Sequence, residues 1–522
     1  MKKIKITIIA CFCMVFGSCT DVFEELNTPS NLLVSDKLDI GNIGQVFATT
    51  QFNAMNMSGY EISQNLFADL FSQYFTLLRP NFYSDRYVDV ASWSNSNFTG
   101  FYTSVAKDLS FVEKYTADKN FPVQNAIIKV WKVQAFHRLT DYYGPIPYLE
   151  VGNGATSVPY DPQEVIYKSF FKTLDEAVAI LKENKGKMVF QRDDLVYSGD
   201  VNKWLTFANS LRLRLALRVK YADAALAKSE AEKAVAAGVM LTSGDNANVF
   251  TNDLSKNNLG NIANYDNWRM SATMESVMVG FNDPRLDAFW NPVVTDNRND
   301  GSKFHGIRNG LPIASIDNPV MVATNSKIDT KWWRLEDGGS NPPYQVMRAE
   351  EVYFLRAEGA VEGWNMGAPA KELYEKGIEV SISSRTSATA LDITNYLKSI
   401  NTPKPLKDQW NTPAVSDIPV AFMTSGPKEK QLEQIGTQKW IGLFPDGWEA
   451  WAEMRRTGYP KLLPRIQSDN PDVPANQMIR RLLFVDGEYA NNKQAVNAAL
   501  TLPELAGRGG NKNSTRLWWD AK

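Results

Sequence analysis

A chain of 522 residues with 44% hydrophobic and 22% charged side chains can bury a sizeable core, and its 32 Gly and 25 Pro are too few for a collagenous or low-complexity protein. The 56 Lys and Arg nearly balance the 58 Asp and Glu, so no basic footprint for nucleic acid exists. The 26 Phe, 20 Tyr and 14 Trp, against 2 His and 3 Cys, favour stacking surfaces over metal or nucleophile chemistry.

Residues 1–18 read as an export leader: Lys2, Lys3 and Lys5 form a basic start, residues 6–16 are almost wholly apolar, and the small Gly17 and Ser18 precede Cys19. The apolar run falls short of the roughly 20 residues of a transmembrane helix, and no later stretch approaches it. The order Phe16-Gly17-Ser18-Cys19 resembles a bacterial lipobox, which implies acyl chains on Cys19. At about 0.8 kcal/mol per buried CH₂, several chains hold a protein on a membrane where one does not. Cys11 and Cys13 leave with the leader, which rules out an intrachain disulfide or a Cys-based metal site in the rest. Residues 19–42 are then a lipidated cysteine and a tether rich in Asn, Thr, Pro and Ser, and 43–522 are the body.

Most of the body reads as helix. Over 124–143, Ile128, Trp131, Ala135, Leu139 and Tyr142 recur at helical spacing, and Gly144-Pro145 stops the run. Over 161–184, Asp161 offers an N-cap and Pro162 a first-turn residue. The stretch 201–220 is apolar on more than one face, as expected of a helix sandwiched between neighbours. A helix at 221–237 follows almost at once, and 348–363 is followed by 369–384 across Gly367 and Pro369. The spacing of Ala370, Tyr374 and Ile378 resembles the second helix of a tetratricopeptide repeat, whose pairs bury their apolar faces only by stacking. Stretches 243–268, 291–345 and 401–430 carry few periodic signals and read as loops. The predicted class is all-α: one large unit of tetratricopeptide-like helical pairs with a loop-rich side.

Catalytic and metal motifs are mostly absent. His137 and His305 have no ligand-like neighbours at metal spacing, and HExxH, GxSxG and a P-loop are missing. Asp296-x-Arg298-x-Asp300-Gly301 fails as a calcium loop, with Arg at the third ligand position and Ile307 at the twelfth, and reads as a turn. Glu449 and Glu453, one helical turn apart beside Arg455 and Arg456, read as ion-pair partners, as do Glu350 and Glu358. Asp283-Pro284-Arg285, Arg480 and Arg481 read as scaffold clamps. No catalytic residue, metal or cofactor is expected.

Collinear strings carry a family likeness: the leader ending at Cys19, DYYGPIPY at 141–148, YDPQEVIY at 160–167, KWLTFANSLRLRLALR at 203–218, NDPRL at 282–286, MRAEEVYFLRAEGA at 347–360, GWEAWAEMRRTGYP at 447–460 and IRRLLF at 479–484. In this order the chain resembles the SusD/RagB-type nutrient-binding outer-membrane lipoproteins, specifically their second large sequence branch. Asp21, Glu24 and Glu25 after Cys19 resemble the surface-export signal of Bacteroidetes lipoproteins. The resemblance implies a lipid-anchored protein on the outer membrane, facing the exterior, that passes an oligosaccharide or peptide to a SusC-like TonB-dependent transporter. Two other readings stand beside it: a surface glycosidase or peptidase, and a structural or adhesive surface protein.

Sugar rings pack their C–H faces on Trp and Tyr, with polar side chains at the edges. Three stretches fit. The polar segment 79–97, read as a loop, carries Tyr83, Arg86, Tyr87, Trp93 and Asn95; the 264–268 loop carries Tyr265 and Trp268; the third is Trp332-Trp333.

Overall fold

The computed structural model describes residues 38–265, 267–316, 319–329 and 342–522. Cys19, the leader and Trp332-Trp333 lie outside the described residues. Residues 1–44 form a separate unit, described only from residue 38, and the helical body is the unit 45–522.

The helices are α1 (Ala91–Phe101), α2 (Lys107–Asp118), α3 (Pro122–Tyr143), α4 (Gln163–Glu183), α5 (Val201–Arg218), α6 (Ala224–Ala237), α7 (Ala272–Phe281), α8 (Ala349–Val361), α9 (Ala370–Ser383), α10 (Lys428–Leu443) and α11 (Gly447–Thr457). Consecutive partners pack as hairpins, α3 on α4, α5 on α6 and α8 on α9, and the hairpins stack through α4–α5 and α5–α8. The predicted helical pairs are therefore present. Helices α10 and α11 continue the stack, and α11 reaches back to α3. Helix α5 is buried on all sides, as its multi-faced apolar pattern predicts: Trp204, Phe207, Leu211, Leu215 and also Arg212, Arg214 and Arg218 are inside.

Each buried arginine of α5 ties it to a different neighbour. Arg212 meets Asp175 of α4 at 2.6 Å and Glu230 of α6; Arg214 meets Glu351 of α8 at 2.6 Å; Arg218 meets Glu449 of α11. The register of the stack is thus set by ion pairs as well as by apolar contact. Asp161 does not cap α4. The helix starts one residue later behind Pro162, and the Asp161 carboxylate accepts instead from the backbone N–H groups of Tyr148 and Leu149, 3.1 and 2.7 Å away.

A carboxylate also organises the turn into α5. Asp194, buried, accepts from Gln51 Nε2 (2.9 Å), Gly199 N (2.8 Å) and Trp204 Nε1 (2.7 Å), while Gly199 takes φ +86° with no room for a Cβ beside the Val189 carbonyl. Asp194→Ala strands these donors. The expected cost is about 2–3 kcal/mol of unfolding free energy, measured by urea titration.

Four short strands lie outside the predicted helices: β1 (Phe75–Leu77), just ahead of the 79–97 segment, β2 (Ala247–Val249), inside a stretch read as loop, and β3 (Trp268–Met270) and β4 (Tyr344–Met347), at the ends of such stretches. They form two antiparallel ladders, β1 with β3 and β2 with β4. Strands of three or four residues are too short to display alternation, and their partners lie far off in sequence.

Candidate functional site

The β1–β3 ladder pairs Phe75 with Met270, Thr76 with Arg269 and Leu77 with Trp268. It runs one step further, where Leu78 N donates to the Asn267 carbonyl at 2.7 Å. The Arg79 guanidinium then reaches the Asn267 side chain at 3.5 Å. The chain leaving β1 and the chain entering β3 therefore emerge side by side. This pairing joins two of the three predicted ligand segments, which are nearly two hundred positions apart.

What holds the first segment open is visible beneath it. Asp85 is buried and accepts from Asn309 Nδ2 (2.7 Å), Thr76 Oγ1 and Gly310 N (both 3.1 Å). Arg86, also buried, pairs with Asp469 at 2.7 Å. Tyr87 turns left-handed at φ 66°, and the Arg465 guanidinium lies 3.8 Å over its ring while donating to its hydroxyl at 2.5 Å. Burial pushes the Tyr87 hydroxyl above its ordinary range, with Arg465 opposing it. Arg86 and the Tyr87 hydroxyl are thus turned into the scaffold rather than toward solvent. Trp268 is 1% exposed within β3.

The rings that reach solvent are Tyr83, 39% exposed, and Tyr265, 51% exposed. Trp93 is half-buried and meets Phe82 edge to face at 5.7 Å. Asn95 sits behind it, its side-chain oxygen accepting from Gly487 N at 2.9 Å. The second half of the segment is helix rather than loop, since α1 begins at Ala91. Its buried positions are Ser94, Asn97, Phe98 and Phe101, a helical spacing hidden because two of the four are polar. Ser94 Oγ donates to Asp89 at 2.7 Å, and burial raises the Asp89 carboxyl above its ordinary range.

Around these rings stand exposed Arg79 and Asn81 and half-buried Asn267 and Glu61. Burial raises the Glu61 carboxyl and nearby Arg79 lowers it. Aromatic rings thus lie on both segments that leave the ladder, with a guanidinium, amides and a carboxylate nearby, residue types able to stack on a ring and bond its hydroxyls. Sequence reasoning missed Phe82 and Arg79, and adjacency to Tyr83 was their only signal.

A larger cleft of about 1080 Å³ lies elsewhere, between the turn at Asn282, Asp283 and Pro284 and residues 385–401. Its rings, Phe281, Phe304 and Tyr396, are buried and present no stacking face. Its Asp283 is held by Arg285 (2.6 Å) and Tyr396, as a clamp.

The carboxylate pairs are likewise spent. Glu453 pairs with Arg456 (2.6 Å) and Lys439, whereas Glu449 is taken by Arg218 rather than Arg455. Arg455 instead lies 3.5 Å over the Trp451 ring. Glu350 pairs with Arg348 (2.6 Å) and Arg385 (3.0 Å), and Glu358 with Arg456. The 296–301 stretch is a turn: Asp296 accepts from the N–H groups of Arg298 and Asn299. Among the described residues, no group of three His, Cys, Asp or Glu is arranged to hold a metal, and no helix is long and apolar enough to cross a membrane.

The sequence model of a family described as "SusD-like: Susd and RagB outer membrane lipoprotein" matches residues 25–520. Among solved structures, a chitin-binding SusD homologue from Flavobacterium johnsoniae is 32% identical, with 92% of this chain and 98% of that chain covered and a TM-score of 0.81. A SusD homologue from Bacteroides thetaiotaomicron is 32% identical, with coverage of 93% and 99% and a TM-score of 0.82. One from Bacteroides vulgatus is 32% identical over 90% and 97%, at 0.79. No curated protein matches the chain.

Proposed function

This chain belongs to the SusD-like family of outer-membrane lipoproteins, and we propose that it is a binding protein anchored through acylated Cys19 that captures an oligosaccharide outside the cell and hands it to a TonB-dependent transporter. The observation that carries the choice of ligand is that exposed Tyr83 and Tyr265 and half-buried Trp93 lie on the two segments the β1–β3 ladder brings out together, with Arg79 and Asn267 at its end. Flat rings with polar neighbours suit the alternating C–H and hydroxyl faces of a sugar. The chitin-binding relative supports the same class. Of the remaining candidates, Asn95 positions the helix behind Trp93, while Trp332 and Trp333 stay in the proposal as further platforms.

The reading is binding without cleavage, and it is supported by Glu449, Glu453 and Glu358, the closely spaced acids of the helical stack, being held by buried cations. Calorimetry of the purified chain against chitin oligosaccharides, other glycans and short peptides tests the reading. Expected are heat on adding a glycan and an intact glycan afterwards by chromatography. Binding of peptides alone, or a shortened glycan, overturns it.

A further inference from the structure

A second cleft, of about 610 Å³, opens on the other flank of the 83–87 turn, where Tyr87 lines it. Lys461, Arg465, Arg480 and Arg516 line it and no carboxylate does. Four cations with no lining acid is a strong bias in a chain whose charges nearly cancel.

The cations differ in what they have left to give. Arg465 is spent: it donates to the carbonyls of Asp85 and Leu70, both at 2.8 Å, and to Tyr87. Arg480 and Arg516 share one buried carboxylate, Asp520, each through Nη1 at 3.1 Å. Nη1 of Arg480 also donates to the Arg455 carbonyl and Nη1 of Arg516 to a main-chain oxygen of Lys522. Among the described residues, Nε and Nη2 of both arginines have no hydrogen-bond partner. Asp520 and a main-chain oxygen of Lys522 thus occupy Nη1 of the two guanidinium groups, and their Nε–Nη2 edges have the geometry that grips a carboxylate in two parallel bonds. Lys461 is half-exposed, 3.5 Å from Glu433, a carboxylate that Lys430 and Ser416 also contact. Burial holds the Arg480 guanidinium below the usual arginine range; Asp520 opposes this and Arg516 adds to it. A bound anion offsets the repulsion between the two guanidinium groups and favours their charged form.

We propose that this cleft is an anion subsite for the carboxylate of an acidic sugar, a uronate, held by Arg480 and Arg516 with Lys461 adding attraction. A sugar suits it better than a bare ion. The exposed side-chain amides of Asn476 and Gln477 line the cleft with no partner among the described residues, free to meet ring hydroxyls, and Pro460, Leu462 and Pro464 supply apolar wall. Its volume also falls within the roughly 300–1,000 Å³ of small-ligand sites. The site shares no side chain with the Tyr83, Trp93 and Tyr265 surface, so it stands independently of that reading.

The test is calorimetry of the purified full chain with trigalacturonate, its methyl ester, acetate, a tripeptide with a free carboxylate and a chitin oligosaccharide. The acid is expected to bind, at least about tenfold more tightly than its ester, and to weaken as salt rises. Arg516→Gln, at a partly exposed position, is expected to weaken the acid about tenfold while leaving the chitin oligosaccharide unchanged; Trp93→Ala is expected to do the reverse. Lys461→Gln provides a second, fold-neutral variant, expected to weaken the acid severalfold. Equal affinity for acid and ester, or an acid indifferent to both Arg516→Gln and Lys461→Gln, overturns the proposal. Acetate binding as tightly as trigalacturonate overturns the sugar part, and a tripeptide carboxylate binding where the uronate does not overturns the ligand class.

Discussion

Replacing Glu358 with alanine is expected to lower the unfolding free energy by about 3–5 kcal/mol, read from the urea midpoint at neutral pH. The reason is what the carboxylate leaves behind. Glu358, on α8, accepts two bonds from Arg456 of α11, at 2.7 and 2.6 Å, and pairs with Lys220 at 2.7 Å. Lys439 of α10 stands 3.7 Å away, and all four side chains are buried. Without Glu358, Arg456 and Lys439 are left to Glu453 alone, and Lys220 keeps only Glu362 at 2.9 Å. An ion network of this kind adds little over a well-packed apolar core, but breaking it leaves unpaired charge, so the loss far exceeds what a surface pair yields. Glu358→Gln retains shape and some hydrogen bonding, and its loss is expected to be smaller.

The same network sets an acid limit. Burial alone raises the Glu358 carboxyl, but Arg456, Lys220 and Lys439 hold it well below the usual range, and Glu453 behaves likewise beside Arg456 and Lys439. A carboxylate whose folded pKa lies below its unfolded value of about 4.3 stabilises fully above that value and ceases to do so as pH falls through the folded pKa. Stability is therefore expected to fall below about pH 4, and to fall less steeply in Glu358→Gln.

Trp93→Ala together with Tyr265→Ala is expected to weaken oligosaccharide binding about thirtyfold, close to 2 kcal/mol, by calorimetry. Binding energy concentrates in a few well-packed rings, and the two belong to the two chain segments that the β1–β3 ladder sets side by side. Trp93→Phe, which retains a face, is expected to recover part of the loss. The thermal midpoint is the control, because Tyr265 is largely exposed and Trp93 is half-buried against the half-buried Phe82. Trp268→Ala gives the contrasting outcome: its ring is buried, so stability falls by about 3–5 kcal/mol. An unchanged affinity in the double variant removes the glycan from this surface.

The sequence by itself determined the helical class, because periodicity is local: the runs at 124–143, 201–220 and 348–363 each carry their apolar spacing within one segment, and the observed helices follow it within a few residues. It also determined that Glu449, Glu453, Asp283 and Arg481 serve the scaffold, since acids and arginines at helical or turn spacing have a local reason to pair. Which partner each takes was decided only by the tertiary structure. Arg218, not Arg455, meets Glu449, because α5 and α11 are joined by the stacking of hairpins across more than two hundred positions. The proposed ligand surface was legible as aromatic segments and not as a site. Exposure separates Tyr83 and Tyr265 from Tyr87 and Trp268, and exposure depends on what the β1–β3 ladder and the 465–470 segment bring underneath. Burial is a property of the packed chain, so residues of identical type in one short stretch divide between ligand surface and core for reasons no local pattern carries.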